Sequence, residues 1–151
     1  MTSALITEAN QGDADAQCKL GVAYLEGAGV ERNREEAVRY LRMVADNGHI
    51  DAQFNVGYAF STGEGVEKNL EEGVRYYRLA ADQGHARAQC NLGSAYEIGE
   101  GVEKNFEEAV RYYGLAADQG DAEAQFNMGY AYETVEKLKF LFVKQKSCWN
   151  L

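Results

Sequence analysis

Residues 85–120 read HARAQCNLGSAYEIGEGVEKNFEEAVRYYGLAADQG, and this stretch decides the fold because the chain carries it repeatedly. The preceding stretch, residues 49–84, has the same length of 36 residues and is identical at 25 positions. Residues 13–48 fall into the same register more loosely, and a fourth copy starts at Asp121. Similarity at a fixed period of this length indicates a stacked repeat array, so the fold question reduces to one repeat.

Each repeat is predicted to form two helices. In the third copy, apolar residues at helical spacing predict a first helix, helix A, from about Ala86 to Ile98. Gly99 suits the left-handed residue that commonly ends a helix. Asn105 and Glu108 form a capping-box pattern that opens a second helix, helix B, which ends at Gly120. The repeat is therefore an antiparallel helix pair.

Two further features recur with the repeat. Gly93 lies inside helix A, where glycine costs about 1 kcal/mol relative to alanine. Since it recurs as Gly21, Gly57 and Gly129, we expect the backbone of a neighbouring helix to approach closely there. On helix B, glutamate precedes arginine by four residues, a spacing that favours solvated ion pairs. These pairs are Glu35/Arg39, Glu71/Arg75 and Glu107/Arg111.

The repeat resembles the Sel-one-like repeat (SLR) family, a relative of the tetratricopeptide repeats. The third copy carries the family theme as Ala88, Leu92-Gly93, Tyr96, Gly99-x-Gly101-Val102, Tyr112-Tyr113 and Ala116-Ala117-x-x-Gly120. The first aromatic residue is commonly Trp in the family and is Tyr40, Tyr76 and Tyr112 here. A period of 36 residues, rather than the 34 of tetratricopeptide repeats, favours the SLR branch. The resemblance implies an all-α, right-handed α-α superhelical solenoid of antiparallel helix pairs.

The repeats divide the chain into six predicted segments. Residues 1–12 are half of a helix B, and residues 13–48, 49–84 and 85–120 are full repeats. Residues 121–134 are helix A of a truncated fourth repeat, and residues 135–151 form an irregular C-terminal cap or tail. Because repeat arrays need atypical ends, the last segments fit either a capping helix or a truncated piece of a longer array.

Composition narrows the class of function. The net charge is −9 without a basic stripe, so the chain repels phosphate and nucleic-acid binding is not expected. Cys18 and Cys90 are too far apart for a disulfide, and free thiols fit a reducing compartment. The N-terminus lacks signal-peptide features and the longest apolar run is too short for a transmembrane segment. We therefore expect a cytoplasmic location.

No pattern in the sequence predicts catalysis. His49 and His85 are two copies of one turn residue, replaced by aspartate at Asp13 and Asp121, and no Cys/His cluster accompanies them. The glycines follow the repeat rather than a nucleotide-binding fingerprint. We accordingly expect no enzyme activity, no metal and no cofactor.

The repeats differ mainly in helix A. Eight of the eleven differences between the second and third copies fall within residues 50–62 and their partners. In the related tetratricopeptide family, these helix A positions line a concave groove that holds a peptide. The resemblance thus implies a peptide- or protein-binding surface, with Cys18 and Cys90 also facing the groove. The predicted contact residues are Lys19, Val22, Phe54, Asn55, Tyr58, Asn91, Ser94, Phe126, Asn127 and Tyr130.

Each part of this surface has an alternative interpretation. The Asn row at Asn55, Asn91 and Asn127 would hydrogen-bond a peptide backbone, or else satisfies local backbone only. Phe54 and Phe126 would offer apolar contact, or else pack between adjacent helices. The chain as a whole is predicted to be a non-catalytic adaptor. The alternative functions are an architectural segment that self-associates end to end and an enzyme. The tail mixes lysines with aromatic residues, which suits an end cap or a peripheral membrane contact.

Overall fold

The computed structural model describes residues 2–134, which form eight helices and no strand. The predicted tail 135–151, with its proposed membrane contact, lies outside the described residues. The helices are α1 (Thr2–Asn10), α2 (Ala14–Glu26), α3 (Arg34–Ala45), α4 (Ile50–Thr62), α5 (Leu70–Asp82), α6 (Ala86–Ile98), α7 (Phe106–Asp118) and α8 (122–134). The even-numbered helices are the predicted A helices, and the odd-numbered ones from α3 are the B helices.

The helices pack as consecutive antiparallel pairs. Gly57 of α4 faces Tyr77 and the carbonyl of Gly73 on α5, while Ser61, one turn later on α4, faces Gly73 itself. The two helices therefore run in opposite directions. Each helix pair also packs on the next pair along the chain. The protein is an all-α solenoid, as the resemblance implied. Its core consists of buried clusters shared between neighbouring helices.

The predicted helix ends are confirmed. Gly99 ends α6 with a left-handed backbone (φ 79°), a conformation that costs glycine little, and Gly27 and Gly63 do the same. The side chain of Asn105 accepts a hydrogen bond from the Glu108 N–H at 3.1 Å and so satisfies a donor that the first turn leaves free. Asn33 and Asn69 cap their B helices in the same way.

The charge pairing on helix B differs from the prediction. Arg39, Arg75 and Arg111 form ion pairs with the glutamates three residues earlier, Glu36, Glu72 and Glu108, at 2.7–3.0 Å. The physical reason lies in the tyrosine that follows each arginine. Each guanidinium lies 4.1–4.3 Å above the ring of Tyr40, Tyr76 or Tyr112, a cation–π contact that directs the side chain toward the nearer acid.

These tyrosines join the two helices of each of the three full repeats. The rings of Tyr24 and Tyr40, Phe60 and Tyr76, and Tyr96 and Tyr112 stack with centroids 5.9–6.0 Å apart. Aromatic pairs in offset stacks contribute about 0.5–1.5 kcal/mol beyond the area that they bury. Tyrosine thus fills the position that commonly holds Trp in the family.

The glycine inside helix A is explained by close packing, as predicted. A Cβ at Gly93 would lie 2.8 Å from the ring of Tyr113 and 3.2 Å from the carbonyl oxygen of Ala109. Gly21 and Gly57 are equally close to α3 and α5. A Cβ at Gly129 would meet nothing within 4 Å, since no B helix follows α8 in the described part of the chain.

A glutamine links each repeat to its predecessor, which the sequence did not indicate. The amide of Gln89 donates to the carbonyl of Ala81 at 3.1 Å, and Gln17, Gln53 and Gln125 repeat this contact. Gln119 in turn donates to the side-chain oxygen of Gln89 at 2.8 Å. Gln17, Gln53 and Gln89 are buried, so their hydrogen bonds remove a desolvation penalty, and the repeated contacts fix the register between repeats.

Candidate functional site

The predicted contact residues lie on the A helices, and three of them present large rings to solvent. Tyr58 is 47% exposed, Tyr130 is 59% exposed and Phe126 is 75% exposed. Lys19 is also exposed, whereas Val22 is half-buried against the cluster around Leu41. We call the set Lys19, Val22, Asn55, Tyr58, Asn91, Ser94, Phe126, Asn127 and Tyr130 the helix A surface.

Phe54 belongs to the core rather than to this surface. Its side chain is only 8% exposed, and its ring stacks on His85 with centroids 4.6 Å apart. The guanidinium of Arg87 lies 5.1 Å from the same ring. Because the next repeat covers Phe54 in this way, its ring is closed to a ligand, in agreement with the alternative interpretation. Phe126 holds the equivalent position at the last described repeat and remains uncovered.

The asparagine row is only partly free to bind a ligand. The Asn91 amide lies within hydrogen-bonding reach of the Tyr77 phenol and holds back the rise in its pKa that burial causes. The Asn127 amide contacts the Cys90 sulfur at 3.9 Å. Asn55, Asn91 and Asn127 are all half-buried. Asn91 and Asn127 therefore have partners in the preceding repeat, and each amide retains further hydrogen-bonding capacity.

The two cysteines beneath the surface are free and buried. Burial, aided by the acids Glu123 and Asp121, raises the pKa of Cys90 to about 12. Burial likewise raises the pKa of Cys18, and the carboxylates of Asp51 and Asp15 add to the effect. A thiol with a raised pKa is protonated at neutral pH, and the thiolate is the form that attacks substrates and binds metals. These cysteines pack as small apolar side chains.

The histidines act as helix caps. His85 Nδ1 accepts a hydrogen bond from the Ala88 N–H at 3.1 Å, and His49 does the same for Ala52 at 3.3 Å. Asp13 and Asp121 cap α2 and α8 with a carboxylate oxygen instead. The exchange of His and Asp between repeats is thus an exchange of acceptors at one helix start.

The structure shows a cavity that sequence reasoning did not find. It has a volume of about 160 Å³ and lies where α4, α5 and α6 meet. Its lining residues are Ser61, Leu70, Val74, Tyr77, Asn91, Ser94, Ala95, Ile98 and Glu100. Two of these, Asn91 and Ser94, belong to the helix A surface, so the cavity opens beside predicted contact residues. Positions 61 and 94, which line it, differ between the second and third copies, but nothing in the sequence places the two side chains together.

The B helices also expose a row of apolar residues that sequence reasoning missed. Met43, Leu79 and Leu115 hold the same position in successive repeats and are each about two-fifths exposed. Isolated apolar residues are common on protein surfaces. The row nevertheless provides exposed apolar side chains on the B helices, which serve as controls for the aromatic residues on the A helices.

The described part of the molecule is more acidic than the whole chain. Residues 1–134 hold eleven basic and twenty-three acidic side chains, which gives a net charge of −12. Within residues 2–134, no group of three or more His, Cys, Asp and Glu side chains could hold a metal ion. No helix in the same range is long and apolar enough to cross a bilayer.

Antiparallel helix pairs stacked at a constant period define the class of α-solenoid repeat proteins. Within this class, the Sel1 repeat model matches residues 14–49, 50–85, 86–121 and 122–134, and the chain belongs to the Sel1 repeat family. Sel1 repeat proteins are generally protein-interaction scaffolds, and the family is typically a non-catalytic interaction module.

Solved structures show the same fold. A protective antigen with an SLR fold from uropathogenic Escherichia coli is 35% identical, with a TM-score of 0.84 over 86% of this chain. The chain spans 28% of that protein's length. A Sel1 repeat protein from Oxalobacter formigenes is 38% identical, with a TM-score of 0.77, and 85% of this chain matches 96% of that one. Cysteine-rich protein B of Helicobacter pylori shares the fold at 24% identity and a TM-score of 0.64, over 78% of this chain and 90% of that one. No curated protein matches the chain.

Proposed function

We propose that this protein is a non-catalytic adaptor that binds a peptide or protein segment on its helix A surface, the concave face that the resemblance implies. The observation that carries the proposal is the exposure of Tyr58 and Tyr130 at one repeat position, beside asparagine amides with spare hydrogen-bonding capacity. Exposed tyrosines are enriched at interfaces because they bury a large area at little entropic cost. A cytoplasmic location, which the free thiols fit, is part of the proposal.

A pair of matched double variants tests this proposal. Tyr58→Ser with Tyr130→Ser removes the exposed rings of helix A, and Leu79→Ser with Leu115→Ser removes exposed apolar groups from helix B. Partners captured by the wild-type chain are measured against each purified variant, after the melting temperatures are shown to agree. We expect the helix A variant to lose affinity about tenfold or more, since buried aromatic anchors dominate binding energies, and the helix B variant to retain it. Loss of affinity in the helix B variant alone would place the binding site on helix B and refute the proposal.

The second candidate function is an architectural segment of a longer array. Two observations favour it: the 75% exposure of Phe126, and the 28% coverage of the Escherichia coli protein's length. In that case the surface at α8 would contact another repeat or a second copy. The corresponding test is a measurement of self-association, given below.

A further inference from the structure

The cavity between the second and third repeats exists because small residues replace large ones. Ser61 occupies the position that holds Leu25 in the first repeat and Glu97 in the third. Ser94 occupies the position that holds Tyr58 and Tyr130 in neighbouring repeats. Both serines line the cavity of about 160 Å³. The volume that larger side chains take up at equivalent positions is therefore open here.

A glycine on α5 makes room for the side chain of Ser61. Gly73 on α5 stands where the other repeats have Ala37 and Ala109. A Cβ at Gly73 would collide with the Ser61 hydroxyl oxygen. The glycine thus allows Ser61 to pack tightly against α5 and leaves the space above it clear. Within the second repeat, the missing side chain at position 73 therefore matches the serine at position 61 in shape.

The cavity walls are mostly aliphatic, with polar groups at defined places. Leu70, Val74, Ala95 and Ile98 supply apolar surface, and Ile98 is itself exposed. The Ser61 hydroxyl and the Asn91 amide lie within reach of the Tyr77 phenol, so these lining groups already have partners. Since a cavity of about 150 Å³ can hold a molecule of the size of benzene, this one accommodates a single branched aliphatic side chain.

A carboxylate without a counter-ion lies at the same cavity. Glu64, the equivalent residue in the second repeat, forms an ion pair with Arg34 at 3.1 Å. Leu70 holds the position in the second repeat that Arg34 holds in the first, so Glu100 meets an apolar side chain where Glu64 meets a cation. Glu100 makes no ion pair with a described residue. The surrounding chain carries a net charge of −12 over residues 1–134. A positively charged ligand would therefore be attracted both by this carboxylate and by the net negative charge of the surrounding chain.

We propose that this cavity is a subsite for an aliphatic side chain, preferably leucine, that stands next to a lysine or arginine in an extended segment of a partner protein. This inference rests on the proposed function, because it supplies the sequence preference of the same surface. The leucine side chain enters between Val74 and Ile98, and the neighbouring cation pairs with Glu100.

The test uses a peptide of sequence Gly-Lys-Leu-Lys-Gly as the probe, with two matched peptides for comparison. One replaces leucine by alanine, and the other replaces both lysines by glutamates. Binding is followed by the methyl NMR signals of Val74 and Ile98, which report on the cavity directly. We expect the leucine peptide to bind about tenfold more tightly than the alanine peptide, since it buries additional carbon atoms. The glutamate peptide should shift these signals little or not at all. Equal affinity for the leucine and alanine peptides, or no shift at Val74 and Ile98, would overturn the inference.

Two variants separate the contributions. Ser94→Tyr installs the side chain found at Tyr58 and Tyr130 and should abolish the preference for leucine over alanine. Glu100→Gln should weaken the lysine-flanked peptide about threefold or more, as expected for a partly exposed ion pair, whereas Glu103→Gln, an exposed neighbour in the turn, should leave binding unchanged. Should Ser94→Tyr fail to fold, the peptide comparison and Glu100→Gln still decide the question. The proposed function is judged separately by the Tyr58 and Tyr130 double variant, so a failure of the subsite is distinguishable from a failure of the proposed function.

Discussion

At the scale of single residues, Gly93 and Gly129 allow the effect of packing on one helix position to be measured. They hold the same helix A position, yet Gly93 lies against α7 and Gly129 faces open space. We predict that Gly93→Ala lowers the free energy of unfolding by about 1–3 kcal/mol, the usual cost of overpacking a tight contact. Gly129→Ala should raise it by up to about 1 kcal/mol, because alanine is the better helix former.

Chemical denaturation of the two variants measures this difference directly. Since the substitution is the same, the intrinsic helix preference contributes equally to both, and the difference between them reports on packing alone. If both variants gained stability to the same extent, the close approach of Tyr113 to Gly93 would not restrict this position.

At the scale of helices, the start of α6 depends on the protonation state of His85. Burial lowers the pKa of His85 below its ordinary value of 6.5, and the cation of Arg87 lowers it further, while Asp51 opposes them. The unfolded chain therefore binds this proton more readily than the folded one. The stability contribution is fully present above pH 6.5 and is lost as the pH falls below that value toward the lower pKa of the folded state.

The variant His85→Asn tests this pH dependence. Asparagine keeps an oxygen that can accept the Ala88 N–H but does not titrate. We expect the wild-type melting temperature to fall more steeply than that of the variant between about pH 7 and pH 5, the range in which histidine titrates. His49 and the carboxylates remain in both proteins, so the difference between the two curves isolates His85. Parallel curves would contradict the prediction.

The sequence predicted the helices better than the surface that they present. The bounds of α6, the cap at Asn105 and the close approach at Gly93 all followed from local spacing or from recurrence. The burial of Phe54 did not, because it depends on His85 and Arg87, which come from the next repeat. Local patterns determine where a helix begins and ends, whereas exposure depends on what the neighbouring repeat places above it.

The cavity was beyond sequence reasoning for a related reason. Its volume depends on three positions, 61, 73 and 94, that lie on three different helices. Each residue alone reads as an ordinary small substitution. Only their arrangement across the junction between repeats shows that the small side chains coincide.

At the scale of the whole molecule, the surface of α8 predicts self-association. Phe126, Tyr130 and Tyr132 are all more than half exposed on this helix. Exposed aromatic residues are enriched at protein interfaces. We predict concentration-dependent association of the 1–151 chain in sedimentation experiments, and its reduction by Phe126→Ser with Tyr132→Ser. Leu79→Ser with Leu115→Ser is the control and should leave association unchanged. A wild-type chain that stays monomeric at high concentration would exclude this mode of assembly.

The match between Ser61 and Gly73 bears on how such a protein can change over time. The second and third repeats look interchangeable, since 25 of their 36 residues are identical. They are not, because a second copy of repeat two placed after itself would bring the tyrosine of position 58 to the site of Ser94 and close the cavity. The order of the repeats therefore carries information that their individual sequences do not. Duplication or shuffling of these units would therefore remove the proposed leucine subsite while keeping the helix pairs that form the fold.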